Sequence, residues 1–172
     1  MKTTIITTML MGLCMATSGQ QVDNSTITSF DLDRYLGKWY EIARYDHTFE
    51  RNLVGTTAQY SLRDDGKIKV VNSGHLKTLD GPYQESIGKA KARKNGAPGQ
   101  LEVSFFGPFY GDYNILELGP DYSYSVVGSS SPKYLWILSR TPQLAPEVST
   151  RIIQNLKQRG YDTSKLLWVE QK

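Results

Sequence analysis

The chain predicts an all-β domain, an eight-stranded antiparallel up-and-down barrel with one C-terminal α-helix packed outside it. Three observations predict this. First, apolar and aromatic stretches recur between turn signals at Asp64-Asp65-Gly66, Asp80-Gly81-Pro82, Asn95–Gly99, Gly107-Pro108, Gly119-Pro120-Asp121 and Ser129–Pro132, and such punctuation marks successive strands. Second, the connections are short and local, which favours antiparallel neighbours over crossover units. Third, fifteen Gly and eleven Tyr in 172 residues, with 11% aromatics, suit a turn-rich β protein better than a helical bundle.

Taken in order, the chain opens with a segment outside the fold. Lys2 precedes an apolar run from Ile5 to Ala16, and Ala16-Thr17-Ser18 offers small residues for cleavage. The run is too short to cross a bilayer comfortably, so residues 1–18 are expected to be a cleaved secretory signal. Cys14, the only cysteine, lies within it. Lipid attachment at Cys14 and removal with the signal both stay open, although Leu13 is larger than the residue that usually precedes a lipid-modified cysteine. After a cut at residue 18 the chain holds no thiol, so packing and hydrogen bonds alone must hold the core. Residues 19–29 are polar and unpatterned, the expected flexible lead-in to a domain spanning 30–172.

Asp31 to Leu36 reads as one helical turn, with Asp31 or Asp33 as its N-cap. Gly37 then permits a sharp bend before Trp39 and Tyr40, which open a strand over 38–45. Residues 46–55 lack alternation and read as a long loop. Thr56, Ala58, Tyr60 and Leu62 share one strand face, and Ile68, Val70 and Asn72 share the next. In the strand carrying Gly88, Ala90 and Ala92 on one face, the other face is Lys89, Lys91 and Arg93. Small inward residues either leave space unfilled or make room for a neighbouring ring. Strands follow at 101–105, 111–118, 122–128 and 134–140. In the last three both faces are apolar or aromatic, so their inward and outward phase stays open, that of Trp136 included. Pro146 suits a first helical turn. Val148, Ile152 and Leu156 then recur every four residues up to Gly160, an amphipathic helix. Residues 166–169 form a short final strand.

A net charge of +3 with both signs interspersed carries no basic stripe of the kind a nucleic-acid binder needs. A membrane-spanning barrel is excluded by the outward Lys89, Lys91 and Arg93, each costing ~2–4 kcal/mol at the lipid midplane. Catalysis finds no support either. His47 and His75 lack metal-ligand spacing, no Gly-x-Ser-x-Gly occurs, and Asp64-Asp65 reads as turn chemistry.

Three segments together resemble the lipocalins: Gly37-Lys38-Trp39-Tyr40-Glu41, Gly111-Asp112-Tyr113 behind Phe105–Tyr110, and Leu135–Pro142 containing Arg140. The likeness covers about residues 30–170 and is nearest to the bacterial outer-membrane and apolipoprotein D-like subgroup. It implies that Gly37, Trp39 and Arg140 close one end of the barrel, with Arg140 over the Trp39 indole, and that the other end admits a ligand. It further implies an exported protein, periplasmic or outer-membrane associated in a bacterium and secreted otherwise, that carries a fatty acid, lysophospholipid or related lipid without a cofactor. Strand parity nominates Ala58, Tyr60, Val70, Asn72, Gly88, Ala90, Phe105 and Trp136 as pocket lining, with Tyr60 and Asn72 able to orient a polar head. A structural envelope protein with a filled barrel is the competing expectation. Phe105–Tyr110 would then form a membrane-surface or homodimer contact, and the protein is expected to be a monomer or homodimer.

Overall fold

A computed structural model describes residues 21–172, so the expected signal segment and Cys14 lie outside the described residues. Eight antiparallel strands form a continuous ladder: β1 Gly37–Tyr45, β2 Leu53–Leu62, β3 Ile68–Leu76, β4 Tyr83–Ala92, β5 Gln100–Phe106, β6 Phe109–Leu118, β7 Tyr124–Gly128 and β8 Leu135–Ser139. Each pairs with the next, and β1 pairs with both β8 and β2, which closes the barrel. Closure leaves no free edge around the ring at that seam. The one-turn helix α1 (Leu32–Tyr35) precedes β1. The longer helix α2 (Pro146–Gln158) and a ninth strand, β9 (Leu166–Trp168), follow β8.

The predicted elements occur in the predicted order, with two shifts. The loop expected over 46–55 ends earlier, because β2 begins at Leu53 and is bulged between Val54 and Thr57. Residues 120–122 form a 3-10 turn instead of joining β7, and Asp121 and Tyr122 take positive φ there. Asp31 caps α1, accepting from the backbone N–H of Asp33 and Arg34, which satisfies donors that the first turn cannot.

Two apolar layers form on opposite faces of the wall. Inside the barrel lie Trp39, Ala58, Tyr60, Ile68, Val70, Ala90, Leu101, Ile115, Val127 and Leu138. Outside, Ile42, Leu116, Tyr124, Val126, Leu135 and Ile137 pack beneath Ile152 and Leu156 of α2. Ile152 and Leu156 are fully buried, each contributing ~1.5–3 kcal/mol. Strands β6 to β8 therefore carry apolar residues on both faces because one face lines the interior and the other seats the helix.

The β1–β2 ladder ends at Tyr40–Thr57, and β9 takes over the same side of β1 from Ala43 to Tyr45. The C-terminal residues stitch the gap this leaves. Gln171 Nε2 donates to the carbonyls of Glu41 and Thr56, Gly55 N donates to Glu170 O, and Val169 N donates to Ile42 O. Residues 22–27 are likewise tied to the body by Asp23 N to Arg159 O, Ile27 N to Ile115 O, and Arg159 to the carbonyls of Asp23 and Ser25.

Candidate functional site

One end of the barrel is a floor. Trp39 is fully buried, and its Nε1 donates to Tyr35 O at 2.8 Å, which fastens α1 across the opening. Arg140 lies with Cζ 3.8 Å from the Trp39 ring centroid. Its guanidinium donates to three carbonyls, those of Lys38, Arg34 and Tyr122. A cation on an indole face gains ~0.5–2 kcal/mol, and the fork satisfies carbonyls from α1, β1 and the 120–122 turn at once. Gly37 adopts φ +96°, and a Cβ there would lie 3.3 Å from Arg140 Nη1. The first strand, α1 and the end of β8 thus meet at one aromatic-guanidinium contact.

Directly above the floor the barrel encloses a cavity of about 10 Å³, lined by Leu32, Tyr35, Tyr60, Ile68, Val70, Ala90, Leu101, Val103 and Tyr113. Cross-strand registry explains the lining, since Ile68 faces Ala90, Ala90 faces Val103, and Leu101 faces Tyr113. The small side chain at 90 sits where the wall turns toward this space. At Gly88 the other expectation holds, for a Cβ would lie 2.7 Å from Ser104 O and 2.8 Å from a Phe105 ring carbon. Gly88 makes room for a ring; Ala90 borders a cavity. Beside Gly88 and Phe105, where the β4–β5 ladder ends at Lys89–Ser104, a more open groove of about 210 Å³ is lined also by Arg63, Ile87 and Gly107.

The phenols of this lower layer are joined. Tyr113 shares hydrogen bonds with Tyr35 at 2.7 Å and with Tyr60 at 2.9 Å, and Tyr35 with Ser125 at 3.1 Å. Burial pushes the Tyr35 hydroxyl up to about 12 and raises those of Tyr60 and Tyr113 well above the usual phenol range. They are neutral donors and acceptors at any physiological pH, and their mutual bonding leaves the cavity apolar.

The opposite end is the mouth, where the β1–β2, β3–β4, β5–β6 and β7–β8 connections gather. A bulge between Glu41 and Ala43 changes the parity of β1, so Trp39, Glu41 and Arg44 all turn inward. The Glu41 carboxyl and the Arg44 guanidinium meet in direct contact, both fully buried. Arg44 Nη2 also donates to Glu50 O at 2.7 Å and Leu53 O at 3.1 Å, which folds the 46–52 loop over the rim. Burial first, and the neighbouring Glu50 charge second, push the Glu41 carboxyl up to about 8, against the pull of Arg44. Trp136, opposite Arg44 in the ladder, faces inward and donates from Nε1 to Glu50 Oε2 at 3.0 Å.

The structure thus brings Tyr60, Val70 and Ala90 together around the cavity, with Ala58 buried beside them in the interior layer. Phe105 and Gly88 lie higher on the same wall, and Trp136 lies at the mouth. Asn72 pairs with Ala58 across the β2–β3 ladder, and its Oδ1 is buried without a hydrogen bond. His75 shares a 3.0 Å contact from Nδ1 to Gly81 O in the β3–β4 turn, whereas His47 is buried at the mouth. The sequence reading passed over Leu101, Val103 and Tyr113 as lining, although the parity of Phe105 places Leu101 and Val103 on the same face. It also passed over Glu41, Arg44 and Glu50, which no alternation pattern marks because a bulge and a loop deliver them.

A closed eight-stranded barrel with a tryptophan-arginine floor, an apolar interior and an external helix defines the class of single-ligand calyx proteins. Comparison with known proteins agrees. A lipocalin-like domain profile matches residues 30–171. The outer membrane lipoprotein Blc of Vibrio cholerae is 42% identical over 169 residues, covering 98% of this chain and 96% of the relative. Its Escherichia coli K12 counterpart is 48% identical over 149 residues, covering 86% and 82%, and mouse apolipoprotein D is 34% identical, covering 83% and 78%. Among solved structures, insecticyanin from the tobacco hornworm superposes with a TM-score of 0.67 at 23% identity, covering 86% and 84% of the two chains. Lobster apocrustacyanin A1 superposes at 0.65 and 23%, covering 81% and 79%; at this identity the likeness concerns the fold. The chain belongs to the lipocalin family.

Proposed function

We propose that the protein binds a single-chain lipid, a fatty acid or lysophospholipid, inside the barrel and carries it at the cell envelope. The observation that carries this reading is the polarity gradient along the barrel axis. A sealed floor and an apolar lower cavity, with its phenol hydroxyls bonded to one another, lead up to a mouth that holds buried charged groups, the arrangement an amphipathic molecule matches chain-first. Burying the chain contributes ~25 cal/mol per Å² of apolar surface. The relatives named outer membrane lipoproteins support an exported, envelope-associated site of action. Family membership supports binding in place of catalysis.

The cavity of about 10 Å³ matches one water, while pockets for drug-sized ligands run to ~300–1,000 Å³. A lipid therefore occupies the barrel by displacing partly buried interior side chains, chiefly Phe105 and Tyr113, and passes beside Trp136 at the mouth. This makes Trp136 the reporter. Of the three tryptophans, Trp39 is sealed in the floor and Trp168 is 57% exposed outside. Titration with oleate should change the intrinsic fluorescence saturably, and Trp136→Phe should remove most of that change. A wild type that shows no saturable response to any single-chain lipid would contradict the reading.

A further inference from the structure

The mouth holds a group of side chains that the floor and the apolar cavity do not explain. The His47 ring stacks on Phe49 with centroids 3.9 Å apart and lies 5.2 Å from Trp136 and 6.0 Å from Tyr134. Phe49 is 6.3 Å from Tyr134, and the Tyr134 and Trp136 rings run parallel within 7° at 6.0 Å. Among these rings sits the Glu50 carboxylate. Its Oε2 accepts from Trp136 Nε1 and lies 3.0 Å from His47 Nε2.

Packing alone would leave neither the rings nor the charges in this state. Phe49 keeps 62% of its surface exposed although the His47 and Tyr134 rings are at hand. Glu50 is 7% exposed, yet among the described residues no Lys or Arg side chain pairs with its carboxylate. Arg44 is committed to Glu41 and to the carbonyls of Glu50 and Leu53. His47 is 7% exposed, and neither of its ring nitrogens makes a hydrogen bond, the Glu50 contact being out of line for one. The Glu50 carboxyl stands near the Glu41–Arg44 pair, and its repulsion is one cause of the raised Glu41 carboxyl. Apart from the His47 ring at 3.0 Å, the described residues bring no cationic side chain to the Glu50 carboxylate.

We propose that His47, Phe49, Glu50, Tyr134 and Trp136 form a subsite for the cationic amine of a lipid headgroup, an ammonium or trimethylammonium group. Aromatic faces attract cations through the ring quadrupole, most strongly where water is displaced, and recognition of quaternary ammonium by several rings is the best-known use of that attraction. The Glu50 carboxylate adds a full opposite charge in a medium of reduced dielectric. An anionic group would meet ring faces and a carboxylate of its own sign, so a bare phosphate or fatty-acid carboxylate is the wrong chemistry for this position. The assignment rests on the lipid-carrier reading, because the subsite lies at the rim through which the chain enters the barrel.

The test compares lipids with one acyl chain and different heads by intrinsic fluorescence titration. Oleoyl-lysophosphatidylcholine and oleoyl-lysophosphatidylethanolamine should bind the wild type about tenfold more tightly than oleoyl-lysophosphatidylglycerol, which lacks the amine. That ratio should fall to within about twofold of one in Phe49→Ala, whose exposed ring makes misfolding no concern, and in Glu50→Gln. Choline alone at equal concentration should give no response. Equal affinities for all three lysolipids in the wild type would overturn the subsite while leaving the carrier reading intact. So would a preference that survives both substitutions, and a choline response as tight as the lipid's would overturn the assignment to a lipid head. Absence of binding by every lysolipid and by oleate would overturn the carrier reading, and the subsite with it.

Discussion

Replacing Trp39 with alanine tests the floor most severely. The side chain is fully buried, its ring centroid lies 4.9 Å from that of Tyr35, Arg140 covers its face at 3.8 Å, and Nε1 holds Tyr35 O. Truncating a buried tryptophan costs ~3–5 kcal/mol through lost transfer energy and the cavity left behind. Arg140 keeps its three carbonyl partners, so only its cation–π share disappears, and water entering the new cavity can satisfy Tyr35 O. The cost should therefore stay within that range. For a domain of this size each kcal/mol lowers Tm by ~2–4 °C, so Tm should fall by about 6–20 °C. Trp39→Phe keeps a ring beneath Arg140 but loses the Nε1 bond, a loss of ~1–2 kcal/mol. Differential scanning calorimetry of the two variants reads both numbers. An alanine variant melting within about 2 °C of the wild type would refute the floor, as would a phenylalanine variant as damaged as the alanine one.

Gly88→Ala should destabilise by ~1–3 kcal/mol, because the added methyl would lie 2.7 Å from the Ser104 backbone oxygen; urea denaturation giving an unchanged midpoint would count against the packing described. Ala90→Leu fills space beside the cavity and should weaken oleate binding at least tenfold while far-UV circular dichroism stays native, and unaltered titration curves would remove strand β4 from the ligand's path. Glu41 carries a folded-state pKa near 8 against an ordinary 4.5. The folded state thus holds the proton that the unfolded state releases, and stability declines as pH rises from about 5 to 8. Glu41→Gln should flatten that decline in a Tm-against-pH series, and a slope identical to the wild type's would assign the pH dependence to another group.

Much of the fold was legible because its turns carry their own chemistry. The Asp-Gly pair at 65–66 and the Gly-Pro pairs at 107–108 and 119–120 mark hairpin ends whatever the strands do, and the parity of Tyr60, Val70 and Ala90 follows from strands with one wet face. The same logic left β6 to β8 undecided. Leu116 and Val126 seat the helix while Ile115 and Val127 line the interior, so alternation has no polar face to mark. It could not deliver the mouth at all. Arg44 turns inward only because β1 is bulged after Glu41, and Glu50 and His47 reach the interior from a segment without periodicity. The ties of residues 22–27 to the barrel are made largely through backbone groups, which side-chain patterns do not announce. Trp39 and Arg140 were found in another way, through the three family segments, and the 3.8 Å contact between them gives that resemblance its physical content.

A barrel that carries a single-chain lipid holds it as added mass. Native mass spectrometry of the protein, purified from the cell envelope without detergent exchange, measures it most directly. A species heavier than the bare chain by the mass of one fatty acid or lysophospholipid, lost on collisional activation and restored by adding oleate to the stripped protein, is the predicted result. A spectrum showing only the bare chain, both as isolated and after incubation with oleate and oleoyl-lysophosphatidylcholine, would contradict the account.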